Sequence, residues 1–369
     1  MRLLLLSASA GNGHVAAARA VEAVLREDHP TVAVRHVDLF DHVSHTIALL
    51  GRRGYDACVN HTPDLWRALY ERADGTRPVD LPNAASRLVR RFLGLVARWR
   101  PDRILTTYWA SGILKSWVDA AVGRPVPVSV VITDAVLHRY WFHPSIDRYY
   151  VTDASIRDLL ADRGFPPERV SPTGIPVHPR FRPGDRREAR LALGLDPNRT
   201  WIVVAAGPRS MREMAHGAND VLKRFPGAGV VVLTARDGAL RDRLARRADR
   251  WNGRLRVGGL VPDLDRDLVA SDLLVSKGGG LITSEAMAVG VPVLVHRPIP
   301  GQEEANARRL SQAGAAHIVE DLDDLLRRLA DVLGNSSRLA DMRDAARRTG
   351  RPDAAREIAA AEVRRLDPA

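Results

Sequence analysis

Residues Ser271–Asn306 read SDLLVSKGGGLITSEAMAVGVPVLVHRPIPGQEEAN. The apolar run at 273–275 predicts a strand, the three glycines at 278–280 predict a turn, and 281–289 predicts a helix. Gly290 and Pro292 end that helix, and the apolar run that follows predicts a second buried strand. A strand, a glycine turn, a helix and a strand make a βαβ unit. The stretch therefore predicts an α/β fold with a parallel sheet.

The glycine turn has the composition of a phosphate site. Gly278, Gly279 and Gly280 allow close approach of the backbone to a ligand, and the helix that follows presents unpaired N–H groups at its N-terminus. Thr283 and Ser284 would add hydroxyl groups in the first helical turn. Taken alone, the glycines are equally compatible with a simple tight turn that binds nothing.

A second polar cluster favours the binding interpretation. Glu285 stands where a carboxylate could accept hydrogen bonds from sugar hydroxyls, although it could also serve only as a capping residue. Gln302, Glu303, Glu304 and Asn306 follow the next predicted strand. The carboxyl ends of parallel strands share one edge of the sheet, where ligands bind in such folds. We therefore expect a ligand site at this edge.

The whole stretch resembles the nucleotide-sugar signature of the monogalactosyldiacylglycerol synthase and processive diacylglycerol glucosyltransferase family, relatives of the muropeptide-lipid N-acetylglucosaminyltransferase. The resemblance implies a GT-B fold, with two Rossmann-like α/β domains whose parallel sheets face an interdomain cleft. It implies an inverting reaction without metal or cofactor. Glu285 would bind the ribose, Ser284 and the glycine turn the pyrophosphate, and Gln302 and Glu303 the donor sugar. The other donor-binding residues would be Gly13, Gly207, Arg209, Val261, Lys277, Thr283 and Asn306.

Two of these implied donor contacts lie in loops outside the stretch 271–306. The turn Gly207-Pro208-Arg209 departs from the more glycine-rich loop of the family, and Arg209 would supply a phosphate contact there instead. The backbone near Val261 would bind the uracil edge.

The N-terminal segment begins with another strand, glycine turn and helix. A strand at 2–6 leads into SASAGNGH at 7–14, and a helix is predicted for 15–26. This is not the dinucleotide fingerprint, because the third glycine is missing. It resembles the family's glycine turn that ends in a functional histidine, here His14, although Asn12 replaces the central glycine. Without the resemblance, a histidine that caps or packs the turn would be preferred.

An acid and a histidine follow a buried strand predicted for 127–133. The segment TDAVLHRYWF resembles the family pattern T-D-x-x-x-H-x-x-W and contributes Asp134 and His138. We predict His14 as the general base, with Asp134 or His138 as its partner or replacement. Asp134 could instead only cap the following turn. Trp66 and Tyr70 lie near the acceptor by resemblance, but a helix core face is the preferred interpretation.

Length and composition predict two domains. The 369 residues are 45% hydrophobic, and prolines at 172, 176 and 179 mark a linker. We predict an acceptor and catalytic domain at 1–178 and a UDP-sugar-binding domain at 179–369, whose last helix, near 354–365, returns to the first. The single cysteine, Cys58, excludes a disulfide framework. No apolar run is long enough for a signal peptide or a bilayer span, so we expect a cytoplasmic protein.

The charge balance favours anionic partners. There are 55 basic and 44 acidic residues, a formal net charge of +11. No nucleic-acid motif accompanies this charge, so UDP and an anionic membrane surface are preferred over nucleic acid. The segment 86–100 is amphipathic and basic, and a core helix with arginines at the surface is preferred over a membrane helix. We expect a protein peripheral to the inner face of the cell membrane.

The predicted function is inverting, metal-independent transfer of a hexosyl group from a UDP-sugar to a lipid acceptor hydroxyl, diacylglycerol first. Four alternatives stay open at this point. They are a UDP-sugar epimerase on the same fold, a glycosyltransferase with a polyprenyl-lipid or soluble acceptor, a non-catalytic UDP-sugar or lipid binder, and a nucleic-acid binder suggested by charge alone.

Overall fold

The computed structural model describes residues 1–9, 12–43, 62–74, 83–205, 208–259 and 263–364. Packing divides the chain into two compact units. Unit 1 comprises Met1–Pro179, Pro300–Gln302 and Asp353–Ala369, and unit 2 comprises Arg180–Ile299 and Glu303–Pro352.

Unit 1 is built on a parallel sheet of six strands. These are β1 (Arg2–Ser7), β2 (Ala33–Asp38), β3 (Arg103–Thr106), β4 (Val128–Val131), β5 (Arg148–Tyr150) and β6 (Val170–Ser171). Its helices are α1 (Gly13–Asp28), α2 (Pro63–Ala73), α3 (Arg90–Trp99), α4 (Ser111–Val122), α5 (Ala154–Asp162) and, at the end of the chain, α14 (Ala354–Arg364). The leucines of β1 are buried without alternation, as expected for a parallel strand covered on both faces.

The strand order of unit 1 is β2-β1-β3-β4-β5-β6. The chain runs from β1 to β2 on one side of β1, and the next connection crosses from β2 to β3 on the other side, so the strand order reverses between β1 and β3. The turn after β1 and the loop after β3 therefore open at the same carboxyl edge. This reversal is where open α/β sheets bind ligands.

Helix α3 is a core helix. Phe92, Leu95 and Val96 are buried in the main hydrophobic cluster of unit 1, while arginines on the opposite face are exposed. The preferred interpretation of the segment 86–100 is thus confirmed. Its first part, Asn83–Val89, is a 3-10 helix rather than an α-helix.

Helix α14 packs on the back of the first sheet. Ile358 and Ala359 join the cluster that contains Leu3 and Leu5 of β1. Glu362 on the same helix is fully buried, and its Oε1 accepts hydrogen bonds of 2.7 Å from Ser129 Oγ and from Tyr150 OH. A carboxylate in an apolar interface is tolerated only with such donors, so these bonds fix the position of the helix.

Unit 2 is built on a second parallel sheet of six strands. These are β7 (Thr200–Ala205), β8 (Ala228–Leu233), β9 (Leu255–Gly258), β10 (Leu273–Ser276), β11 (Val293–His296) and β12 (Ala316–Val319). Its helices are α6 (Arg186–Ala192), α7 (Pro208–Arg224), α8 (Gly238–Ala248), α9 (Leu264–Ala270), α10 (Gly280–Val289), α11 (Gln302–Gln312), α12 (Leu322–Leu333) and α13 (Ser336–Thr349).

The strand order of unit 2 is β12-β11-β10-β7-β8-β9. This is the Rossmann arrangement, with the reversal between β7 and β10. The predicted βαβ unit is β10, α10 and β11, and β10 pairs in parallel with both β7 and β11. The predicted fold class, α/β with two Rossmann-like units, is confirmed.

A buried carboxylate lies at the edge of the second sheet where its strands β7 and β10 begin. Asp272, just before β10, accepts hydrogen bonds of 2.6 Å from Arg190 and from the backbone N–H of Trp201. Arg186 lies 3.2 Å away, and Arg343 on α13 also pairs with the same carboxylate. Asp272 thereby joins α6, α13 and the start of β7. Among the described helices, none combines the length and apolar character that crossing a bilayer requires.

Candidate functional site

The glycine turn lies at the carboxyl end of β10, at the reversal of the second sheet. Gly278 has φ of +88°, and a Cβ there would lie 2.9 Å from Val295 Cγ1 and 3.3 Å from the carbonyl oxygen of Glu303. Both the backbone conformation and the space therefore require glycine. Gly279 caps α10, which begins at Gly280, so the N–H groups of its first turn point out of the same edge.

Helix α11 holds this turn from the side. Asn306 is buried, and its Nδ2 donates a hydrogen bond of 3.3 Å to the carbonyl oxygen of Gly278. Glu303 is also buried, and its Oε1 lies 2.6 Å from Nζ of Lys277. The segments after β10 and β11 meet at one edge, as the sequence predicted.

Glu285 is a buried carboxyl in the second turn of α10. Burial raises its pKa to about 8, an effect that Asp265 increases and Arg180 opposes. Arg180 and Asp265 themselves form an ion pair, with Nε 3.2 Å from Oδ1. A carboxyl held largely neutral in the ligand-free protein, at the carboxyl edge of a Rossmann sheet, is typical of a functional rather than a structural group.

The two hydroxyl residues of α10 differ in their surroundings. Thr283 donates to the carbonyl oxygens of Gly279 at 2.9 Å and Gly280 at 3.1 Å, so its hydroxyl proton is used within the turn. Ser284 is half-buried. Of the two residues, Ser284 is therefore the better candidate for a hydrogen bond to a ligand.

His14 lies in the first turn of α1, at the reversal of the first sheet. Its Nδ1 is 3.1 Å from Thr133 Oγ1, and its backbone carbonyl accepts a hydrogen bond of 2.7 Å from Thr107 Oγ1. The centroid of its ring lies 5.5 Å from the centroid of the Tyr108 ring, and the two rings are arranged edge to face. Burial lowers the pKa of His14 to about 4, although a hydrogen bond with the backbone of Thr107 acts in the opposite direction. The imidazole is therefore neutral at pH 7 and able to accept a proton.

His138 is tied into the surrounding structure instead. It is buried, its Nε2 lies 3.0 Å from the carbonyl oxygen of Tyr70, and its Nδ1 accepts from the backbone N–H of Tyr140 at 3.4 Å. Its ring lies between those of Tyr70 and Tyr140, with centroids 4.3 Å and 4.7 Å away. Both ring nitrogens thus have partners that are not ligands. Asp134 follows Thr133 directly. Burial raises the pKa of Tyr70, and the charge of Asp134 adds to this effect.

The remaining predicted residues have diverse positions. Gly13 and Gln302 begin α1 and α11, respectively, and both are half-buried. Asn12, which replaces a family glycine, has φ of −88°, so this position requires no left-handed conformation. Gly207 and Val261 lie outside the described residues, as does the side chain of Arg209. Their predicted roles stay predictions.

Sequence patterns did not identify several neighbours of these groups. Thr133 and Thr107 contact His14 from the ends of two different strands, and Arg180 and Asp265 set the charge around Glu285. The only sequence signal for Thr133 was its place at the end of the strand predicted for 127–133. Within the described ranges, His, Cys, Asp and Glu residues form no group of three that could hold a metal ion.

The two units, each with a candidate site at its strand-order reversal, define the class of α/β proteins with the GT-B architecture. Solved structures with this fold align over nearly the whole chain. MurG from Acinetobacter baumannii has a TM-score of 0.63 at 16% identity and covers 99% of this chain and 100% of its own. A UDP-GlcNAc 2-epimerase from Neisseria meningitidis, bound to UDP-GlcNAc, has a TM-score of 0.62 at 14% identity, with 99% and 100% covered.

Sequence relatives are more specific. Residues 14–177 match the family model for monogalactosyldiacylglycerol (MGDG) synthase. The processive diacylglycerol beta-glucosyltransferase of Bacillus subtilis (strain 168) is 28% identical over 353 residues, 93% of this chain and 89% of the relative. Its counterpart in Bacillus cereus (strain AH187) is 26% identical over 362 residues, 97% and 92% of the two chains.

The resemblance stated from the motifs is thus confirmed, because residues 14–177 match the MGDG synthase family model and the relatives named above align over nearly the whole chain. The predicted enzyme class, a hexosyltransferase of the glycosyltransferase type, is confirmed by the same relatives.

Proposed function

We propose that this chain transfers a hexosyl group from a UDP-sugar to the hydroxyl of a diacylglycerol-type lipid, with inversion at the anomeric carbon and without a catalytic metal. The observation that carries the proposal is the buried carboxyl of Glu285 beside the glycine turn of a Rossmann sheet. The names of the relatives supply the acceptor class.

The donor would be bound at the carboxyl edge of unit 2. The N–H groups at the start of α10 and the ammonium of Lys277 would offset the charge of the diphosphate, as helix N-termini and cations do elsewhere. Glu285 would accept hydrogen bonds from the ribose hydroxyls. These groups would also stabilise the charge that develops on the leaving UDP, which is the task a metal ion performs in other transferases.

His14 would act as the general base. The acceptor oxygen forms a bond to the anomeric carbon, the bond from that carbon to the diphosphate oxygen breaks, and UDP leaves with the electron pair. The proton of the acceptor hydroxyl passes to the neutral imidazole of His14. Its pKa of about 4 suits a late transfer, when the attacking oxygen already carries positive charge and its proton is strongly acidic. Thr133 and Thr107 would hold the residue in place.

Unit 1 offers apolar and basic groups for a lipid surface. Leu65 and Leu69 lie one turn apart on α2 and are 53% and 51% exposed, and Leu88 is 47% exposed. Exposed arginines accompany both segments, among them Arg67 on α2 and Arg87 beside Leu88. Exposed leucines next to arginines favour contact with an anionic membrane. We therefore propose peripheral attachment at the cytoplasmic face of the cell membrane.

The test is UDP release from UDP-glucose in EDTA, with vesicles of phosphatidylglycerol that contain or lack diacylglycerol. We expect release to require diacylglycerol. Equal release in the absence of vesicles would contradict a lipid acceptor. Conversion of UDP-glucose into another UDP-hexose without UDP release would instead identify an epimerase, which the fold likeness alone leaves open.

A further inference from the structure

A polar bridge connects helix α1 with the first two strands of unit 1. His36 on β2 is its centre, with Nε2 2.9 Å from Oγ of Ser7 and Nδ1 3.4 Å from Oε2 of Glu22. Ser7 is the last residue of β1 and is fully buried, whereas Glu22 lies in the middle of α1. The side chains of His36 and Glu22 are only 14% and 15% exposed. The bridge is therefore largely shielded from water, which strengthens its electrostatic contacts.

The two partners of His36 determine its tautomer. The carboxylate of Glu22 can only accept a hydrogen bond, so Nδ1 of the imidazole carries the proton. Nε2 is then the acceptor, and the hydroxyl of Ser7 donates to it. Burial lowers the pKa of His36. Arg19 adds to this effect, whereas Glu22 and Asp38 oppose it. The imidazole is therefore neutral at pH 7, and both of its nitrogens have partners.

Helix α1 carries His14 as well as Glu22. His14 lies in the first turn, about two turns before Glu22, and is held there by Thr107 and Thr133. The buried face of α1 is apolar and consists mostly of small side chains, namely Ala17, Ala18, Ala20, Val21, Val24 and Leu25. Such a face allows close packing but fixes the rotation of the helix about its axis only weakly. A fully satisfied polar contact specifies one arrangement, so the contact at Glu22 sets the orientation of the whole helix.

We propose that His36 is a positioning residue for the transfer reaction. Its bridge between Ser7 and Glu22 sets the rotation of α1 and thereby the place of His14. The inference rests on the proposed function, because the place of His14 matters only if this imidazole receives the acceptor proton. The competing explanation is that His36 ties β2 to α1 for stability alone. Ser7 and His36 also have the order of a hydrolase triad, but no substrate can reach a fully buried hydroxyl.

The first test measures transfer and UDP binding. His36→Phe removes both contacts, whereas the amide of His36→Gln can accept from Ser7 and donate to Glu22. A misplaced base predicts that kcat of His36→Phe falls by about 10- to 100-fold, while UDP affinity is unchanged because UDP is proposed to bind unit 2. His36→Gln should restore most of the rate. Glu22→Met keeps the size of the side chain and should behave like His36→Phe. Glu27→Met, at an exposed position of the same helix, is the matched control and should leave kcat unchanged.

The second test reads the histidine rings of the ligand-free proteins and needs no turnover. Long-range proton–nitrogen NMR spectra distinguish a protonated ring nitrogen from a bare one. We expect a proton on Nδ1 of His36 and none on Nε2. The ring nitrogens of His14 should shift in His36→Phe and in Glu22→Met, but not in His36→Gln or Glu27→Met.

The outcomes separate the inference from the proposed function. A wild-type kcat in both His36→Phe and Glu22→Met, with unchanged His14 signals and only a lower Tm, would show that the bridge is a structural tie. If His36→Phe does not fold, Glu22→Met alone decides this point. A proton on Nε2 of His36 would overturn the assigned bridge. Absence of transfer by the wild type would contradict the proposed function, whereas the His14 signals would still show whether His36 positions that residue.

Discussion

Replacing Glu285 with glutamine should stabilise the ligand-free protein and weaken nucleotide binding. Glutamine keeps the size of the side chain but cannot ionise. In the wild type, burial raises the pKa of Glu285 from 4.5 to about 8. The group is therefore neutral in the folded protein at pH 7, while the unfolded chain gains the free energy of ionisation. Ionisation of Glu285 in the unfolded chain alone therefore lowers the free energy of unfolding of the wild type.

The size of the effect follows from the pKa. Each pKa unit corresponds to about 1.4 kcal/mol, so the penalty is about 1 kcal/mol at pH 5 and about 4 kcal/mol at pH 8. Because the folded-state pKa is the higher one, wild-type stability is fully retained below pH 4.5 and falls as the pH rises towards 8. Glu285→Gln removes this loss. For a chain of 369 residues, 1 kcal/mol corresponds to about 1.3 °C, so its Tm at pH 8 should exceed that of the wild type by roughly 5 °C.

The assay is thermal unfolding at pH 5 and pH 8 together with UDP titration at pH 8. UDP affinity of Glu285→Gln should fall by about 10- to 100-fold, the cost of losing hydrogen bonds to a charged acceptor. Glu320→Gln, the same change at an exposed position of unit 2, is the control and should alter neither quantity. A Glu285→Gln protein that is less stable at pH 8 and binds UDP normally would refute the reasoning, because Glu285 would then be a structural anion.

Three further variants test other parts of the structure. His14→Ala should lower the rate of transfer by about 10²–10⁴-fold without changing UDP affinity. Because the pKa of His14 is about 4, kcat/KM of the wild type should show no ionisation of this imidazole between pH 5.5 and 7.5. A rate of the His14→Ala variant within threefold of the wild type would exclude His14 as the base. Tyr150→Phe removes a donor to the buried Glu362 and should cost about 1.5–3 kcal/mol in urea unfolding, whereas no change would mean that the helix docks without this bond. Asp272→Asn leaves three arginines around a neutral group and should cost about 3–5 kcal/mol; a neutral effect would show that the cluster is solvated rather than coupled.

The backbone of the donor site could be predicted from sequence because its signals are local. Strand, glycine turn and helix follow one another within a few residues, and the turn at Gly278 does require a positive φ. The meeting of the segments after β10 and β11 follows from parallel topology alone, and the structure places Lys277 and Glu303 in contact.

The partners of individual side chains could not be predicted, because they come from distant parts of the chain. His138 follows Asp134 in a family-like motif, yet its ring contacts Tyr70, 68 residues earlier, which no local pattern indicates. The partner of His14 is Thr133, the residue next to the predicted Asp134. Likewise, Glu303 and Asn306 occur in a ligand-like cluster, but the structure shows that they also support the glycine turn from within the protein.

The most direct measurement is the structure of the lipid product formed from UDP-α-D-glucose and diacylglycerol-containing vesicles. Proton NMR of the purified glycolipid gives the anomeric configuration from the coupling of the sugar H1. We expect one new glucosyl bond to the free hydroxyl of diacylglycerol in the β configuration, formed in EDTA. An α-linked product would contradict inversion, and the absence of any glucosylated lipid alongside normal UDP binding would contradict the lipid acceptor.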